Sequence, residues 1–127
     1  MHALIESALK HLDEIAELKD GYINEDDFNH CHLIAPTPET VQAVRAILDA
    51  ASVYHWDDKD SLALGIIGDG GIDIEIFIDS TQRELLFSVY ISHEVTRTWS
   101  QIWENKVRAT AHYDFNIRLA WVFGVDV

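Results

Sequence analysis

Gly70-Gly71-Ile72-Asp73-Ile74-Glu75-Ile76-Phe77-Ile78-Asp79 is the stretch that decides how this chain folds. Its isoleucines recur at every second residue, which is the period of a β-strand. Ile72, Ile74, Ile76 and Ile78 share one face, and Asp73, Glu75 and Phe77 share the other. A β-branched face suits a pleated, half-buried surface. An acidic opposite face is expected where one side of an antiparallel sheet meets water.

The alternation continues on both sides of this stretch. Upstream, Leu62, Leu64 and Ile66 alternate, and Gly68-Asp69-Gly70-Gly71 forms a turn. Downstream, Asp79-Ser80-Thr81-Gln82 turns again, and Leu85, Phe87, Val89 and Ile91 alternate with Leu86, Ser88 and Tyr90. Three strands joined by short polar turns predict an antiparallel meander.

The N-terminal half follows the helical period instead. Leu4, Ile5, Ala8, Leu9, Leu12, Ile15 and Ala16 predict a helix over 3–19, with Asp20-Gly21 as its stop. Thr37-Pro38-Glu39 is a strong start signal for a second helix: an N-cap, a first-turn proline and an acid at the positive end of the dipole. Val41, Val44, Ile47, Leu48 and Ala51 form its apolar stripe. Between the helices, residues 22–36 read as polar and irregular, with a brief strand near His30-Cys31-His32-Leu33-Ile34. Toward the C-terminus, Val95, Trp99, Ile102, Trp103 and Lys106 predict a helix over 93–107. Phe115, Ile117, Leu119, Trp121 and Phe123 alternate as a last strand would, and a helix competes for that stretch.

The expected fold class is therefore α+β. Two N-terminal helices pack on an antiparallel sheet of three to five strands, with a further C-terminal helix. No repeat, linker or low-complexity segment divides the chain, so residues 1–127 read as a single acidic domain.

Charge is unevenly distributed along the chain. Residues 1–82 hold 17 of the 22 acids and four of the nine Lys and Arg residues, a formal charge of −13. Residues 83–127 hold five of each. A small domain needs a net charge of magnitude about 2–8 for solubility. A larger excess repels itself and weakens the compact state unless something basic meets it. One cysteine, Cys31, excludes an internal disulfide and fits a reducing compartment. The N-terminus lacks the basic flank and apolar run of a secretion signal. No apolar run approaches the ~18 residues of a membrane span. The expected location is the cytoplasm, most simply of a bacterium or a phage-infected cell.

Three short motifs occur in order: Leu18-Lys19-Asp20-Gly21-Tyr22, Ala35-Pro36-Thr37-Pro38-Glu39-Thr40-Val41 and Gly70-Gly71-Ile72-Asp73-Ile74-Glu75. Over about residues 12–92 this order resembles a group of small uncharacterised bacterial proteins. Their pattern is Gly-Trp-Asp-Gly, then a Pro-Thr/Ser-Pro helix start, then a Gly-Gly-Ile strand. Tyr22 stands where that group has Trp, and Asn24-Glu25 replaces its Asp-Gly. The resemblance implies a fold rather than an activity.

Among the chemistry-bearing residues, the acidic set stands out: Glu25, Asp26, Asp27, Asp57, Asp58, Asp60, Asp69, Asp73, Glu75 and Asp79. It reads either as a solvated face or as a platform for a basic partner, mimicry of DNA charge included. The residues singled out for partner binding are Glu25, Asp26, Asp27, Asp57, Asp58, Asp60, Asp73 and Glu75. His30 and His32 would share a strand face, but a structural zinc site needs four ligands and one Cys is too few for a finger pattern. Cys31 points away from both rings on a strand, which argues against an activated thiol. Asp73 and Glu75 form a pair of the kind that binds magnesium, with no lysine or second acidic cluster at a useful spacing. The Gly68–Gly71 segment is a hairpin turn and not a phosphate loop, since no Gly-Lys-Ser/Thr follows. No Gly-x-Ser-x-Gly nucleophile motif occurs. Trp99 and Trp103, four apart, share a face and read as core or as anchors for a partner.

These readings lead to a non-enzymatic acidic binding protein that blocks a basic partner by occupancy. An immunity protein, an antitoxin or a phage-type inhibitor of a nuclease or nucleic-acid-binding protein would fit. No cofactor, bound metal, direct nucleic-acid contact or membrane contact is expected. The alternatives are a small metal-assisted hydrolase using Asp73, Glu75 and a histidine, and a dimeric structural subunit.

Overall fold

The computed structural model describes residues 2–25, 29–79, 84–95, 98–104, 107–109 and 123. The elements run α1 (Ala3–Ala16), β1 (Gly21–Glu25), β2 (Asn29–Leu33), α2 (Pro38–Ala51), β3 (Ser61–Gly65), β4 (Ile72–Asp79), β5 (Glu84–Ile91), a 3-10 turn (His93–Val95), β6 (Thr98–Glu104) and β7 (Val107–Ala109). Strands β3 to β7 form one antiparallel sheet in chain order. Strands β1 and β2 form a separate hairpin. The α+β class and the antiparallel meander are as expected.

Both helices start and stop for local reasons. The Nδ1 of His2 accepts from the backbone N–H of Leu4 at 3.1 Å and caps α1. This helix ends at Ala16, earlier than expected. Gly21 opens β1 rather than capping the helix. In α2 the Thr37 hydroxyl accepts from the Thr40 N–H at 3.3 Å, with Pro38 in the first turn. Arg45 of α2 and Asp13 of α1 pair at 2.7 Å across the helical layer.

The core lies between this layer and one face of the sheet. Ile5, Leu12 and Ile15 of α1 and Val44 and Leu48 of α2 pack against Ile72, Ile74, Ile76, Phe87 and Ile102. Each such side chain, fully buried, stabilises the fold by roughly 1.5–3 kcal/mol. Across β4 and β5 the core pairs are Ile72 with Ile91, Ile74 with Val89, Ile76 with Phe87 and Ile78 with Leu85. The buried Thr40 hydroxyl donates to the Ser92 carbonyl at 2.9 Å and ties α2 to the end of β5. Trp56 is buried, its indole N–H donating to the Ala51 carbonyl at 3.0 Å, and Phe123 stacks on Tyr54.

The helix predicted over 93–107 is not formed. Thr98–Glu104 is strand β6, paired with β5 from Leu85↔Glu104 to Ile91↔Thr98. A spacing of four places Trp99 and Trp103 on one face under either period, being close to one helical turn and equal to two strand repeats. The distinction lies in the residues between them. Ile102 is buried in the core while Trp99 is exposed, as alternation requires. In the stretch 115–123, residues 115–122 lie outside the described residues. No helix among the described residues is long and apolar enough to cross a membrane.

Candidate functional site

Both helices pack on the same side of the sheet, and the other side faces away from them. That outer face carries the odd-numbered residues of β4. Strand register arranges it in rows across the sheet. One row is Gly65, Asp73, Tyr90 and Trp99. The next is Ala63, Glu75, Ser88 and Gln101. The third is Ser61, Phe77, Leu86, Trp103 and, at its β7 position, Arg108.

Side-chain size turns these rows into relief. The first and third rows hold bulky residues on β5 and β6, and the middle row is short and polar there. Two residues on a strand span about 6.7 Å, so the bulky rows stand about 13 Å apart. Next to the first row lies a groove of about 420 Å³, walled by Tyr90 and Trp99 and lined by Asp73, Glu75, Ser88 and Ile67. A second hollow of about 260 Å³ lies among Phe77, Glu84, Leu86 and Trp103. Trp99 is 44 % exposed and Ile67 71 % exposed, so the groove offers apolar surface to a partner as well as charge.

The Gly-rich loop builds one end of the groove. Asp69 accepts the Gly71 N–H through Oδ1 at 2.8 Å and the Tyr90 hydroxyl through Oδ2 at 2.6 Å. The Tyr90 ring lies so close to Gly71 that a Cβ there would meet its ring atoms at 2.7–2.8 Å. Gly70 has φ +86° and lies against the His93 ring. The two glycines thus serve close approach, beyond the plain turn expected from sequence. The Tyr90 and Trp99 rings stack 6.1 Å apart at an interplanar angle of 29° and together wall the groove.

Three carboxylates meet at this wall. Asp73 is half-buried and Glu75 is exposed. Burial, and after it the charges of Asp69 and Glu75, hold the Asp73 carboxyl above the usual carboxylate range. The ion pairs Arg45–Asp13 and His55–Asp57 both lie away from this face.

The other residues chosen from sequence lie elsewhere. Asp57 and Asp58 are exposed in the α2–β3 connection. Asp60 is a correction. It is 6 % exposed, and its carboxylate accepts the N–H of Asp57 at 2.8 Å and of Asp79 at 3.3 Å. Its charge is spent on closing the connection and is not offered to a partner. This connection adjoins the Asp79 end of β4, about 20 Å along the strand from Asp73. Glu25 ends β1, and Asp26 and Asp27 lie outside the described residues. Glu6, Asp13, Glu14 and Glu17 are exposed on α1, and Glu39 and Asp49 on α2, in the layer opposite the groove. The described acids of residues 1–82 are thus divided between the groove side and the helical layer.

His30 and His32 pair in register with Asn24 and Tyr22 of the hairpin. Among the described residues no three His, Cys, Asp or Glu side chains gather as a metal site. Tyr90 and Trp99 were not singled out together from sequence. The alternation of Trp99, Gln101 and Trp103 with Ser100 and Ile102 was the available signal. No family model, curated protein or solved structure matches this chain.

Proposed function

We propose that this chain is a non-enzymatic acidic binding protein that uses the sheet face opposite the helices to engage a basic protein and block it by occupancy. An immunity protein, an antitoxin or a phage-type inhibitor of a nuclease works in this way. The observation that carries the reading is the groove itself. Asp69, Asp73 and Glu75 stand beside Tyr90 and the exposed Trp99, on the side of the sheet opposite both helices. Aromatic anchors supply binding energy at interfaces, and charge of one sign steers the opposite sign toward them. The formal charge of −13 adds a long-range attraction for the same partner. A chain with one cysteine suits the reducing cytoplasm.

The test uses a basic protein recovered with the chain from its native cell and then purified. Association should slow steeply with added salt, and the partner's own activity should fall to zero at an equimolar ratio. Asp73→Asn with Glu75→Gln should weaken the complex by about tenfold or more, as loss of close charge pairs does. Asp57→Asn with Asp58→Asn should act mainly on the association rate. A complex indifferent to both salt and the Asp73/Glu75 pair would refute the reading.

A further inference from the structure

The geometry points to an arginine side chain of the partner as the group that occupies the groove between Asp73, Glu75 and the Tyr90–Trp99 wall, an inference that rests on the proposed function above. Three observations carry it. The groove has carboxylates on β4 and an aromatic wall on β5 and β6, so a cation entering it meets both at once. The two rings stack with centroids 6.1 Å apart at an interplanar angle of 29°, and both line the groove, so a cation entering it meets aromatic surface. The floor between them and the third row is Ser88, short enough to leave room for a planar group.

A guanidinium matches this arrangement in a way that an ammonium does not. It is planar and weakly hydrated, so it stacks on an aromatic face at small desolvation cost. Its donors lie in the plane of the group and remain free to reach carboxylates at its edge. Asp73 and Glu75, about 6.7 Å apart along β4, stand at that edge. A lysine would satisfy the carboxylates as a point charge and gain less from the wall. A cation here would also favour the ionised form of Asp73, whose neighbours Asp69 and Glu75 repel its charge.

Two short peptides alternating glycine with arginine, or glycine with lysine, separate the possibilities by calorimetry on the whole chain. The arginine peptide should bind about threefold to tenfold more tightly. Trp99→Leu should bring the two within about twofold while leaving both salt-sensitive. Trp99 lies outside the core cluster, on the sheet face opposite the helices, so this change leaves the core intact. Glu75→Gln should weaken both peptides alike. Equal affinities for the two peptides, or an arginine preference that survives Trp99→Leu, would overturn the arginine assignment. If Glu75→Gln still weakened both in that case, the acidic-face reading would stand. Absence of binding by either peptide would overturn both.

Discussion

The Tyr90 hydroxyl donates to Asp69 at 2.6 Å, and the same ring lies directly over Gly71. This one relationship joins the Gly-rich loop, the fifth strand and the wall of the groove. Tyr90→Phe removes a hydrogen bond to a charged acceptor and should cost about 0.5–1.5 kcal/mol. Gly71→Ala places a Cβ against the ring and should cost about 1–3 kcal/mol through overpacking. In a Tyr90→Ala background the Gly71→Ala penalty should shrink, because the obstructing ring is gone. Urea denaturation of the four variants measures the coupling. Equal Gly71→Ala costs in both backgrounds would show that the ring does not set the need for glycine.

Asp60 and its neighbours Asp57 and Asp58 should behave in opposite ways. Asp60→Ala leaves two backbone N–H groups without their acceptor and should destabilise by about 1–3 kcal/mol. Asp57→Asn and Asp58→Asn, both exposed, should stay within about 0.5 kcal/mol of the parent. Thermal unfolding of the three single variants decides this.

Val95 has φ +55° in the turn between β5 and β6. A β-branched residue is poorly suited to that region. Val95→Gly should raise stability by about 1 kcal/mol, the strain relieved exceeding the entropy that glycine adds to the unfolded chain. Val95→Ile should give no such gain. The comparison needs only denaturation midpoints at equal slope.

Asp73 gives a pH dependence with a definite sign. Its folded pKa is raised, so the folded chain holds this proton at a pH where the unfolded chain has lost it. The group's contribution to stability therefore falls as pH rises from the ordinary carboxylate value to the raised one, and stays unfavourable above it. Asp69, Glu75 and Tyr90 are the titratable groups around it. Asp73→Asn should stabilise the chain at neutral pH, and the gain should vanish near pH ~3, where the carboxylate is protonated in both states. A basic partner reverses the preference, so its binding should weaken as acidification neutralises Asp73. Denaturation and binding measured over the same pH series would test both signs. A stability difference independent of pH would remove the electrostatic cause.

Local patterning carried far in this chain. The period-two isoleucines of β4 and the alternation in β5 specify the meander and its two faces, because a strand that slips by one residue would turn Ile72, Ile74 and Ile76 out to water. Thr37 and Pro38 mark the start of α2 because a cap and a first-turn proline act on backbone groups a few residues away. Asp73 and Glu75 were legible as outward-facing for the same reason. Strand β6 was not, since the spacing of Trp99 and Trp103 satisfies both periods and pairing with β5 decided between them.

By itself, then, the order of residues determined the α+β class, the solvent face of the sheet and the sign of the charge on it. These follow from period and composition, which operate over a few residues. Tertiary structure alone decided that Asp60 is interior, that Asp69 reaches Tyr90 across 21 positions, and that Trp99 walls a groove beside Asp73. Each of those facts depends on strand register and on which segments pack together, and such contacts between distant residues form when the whole chain closes around its core.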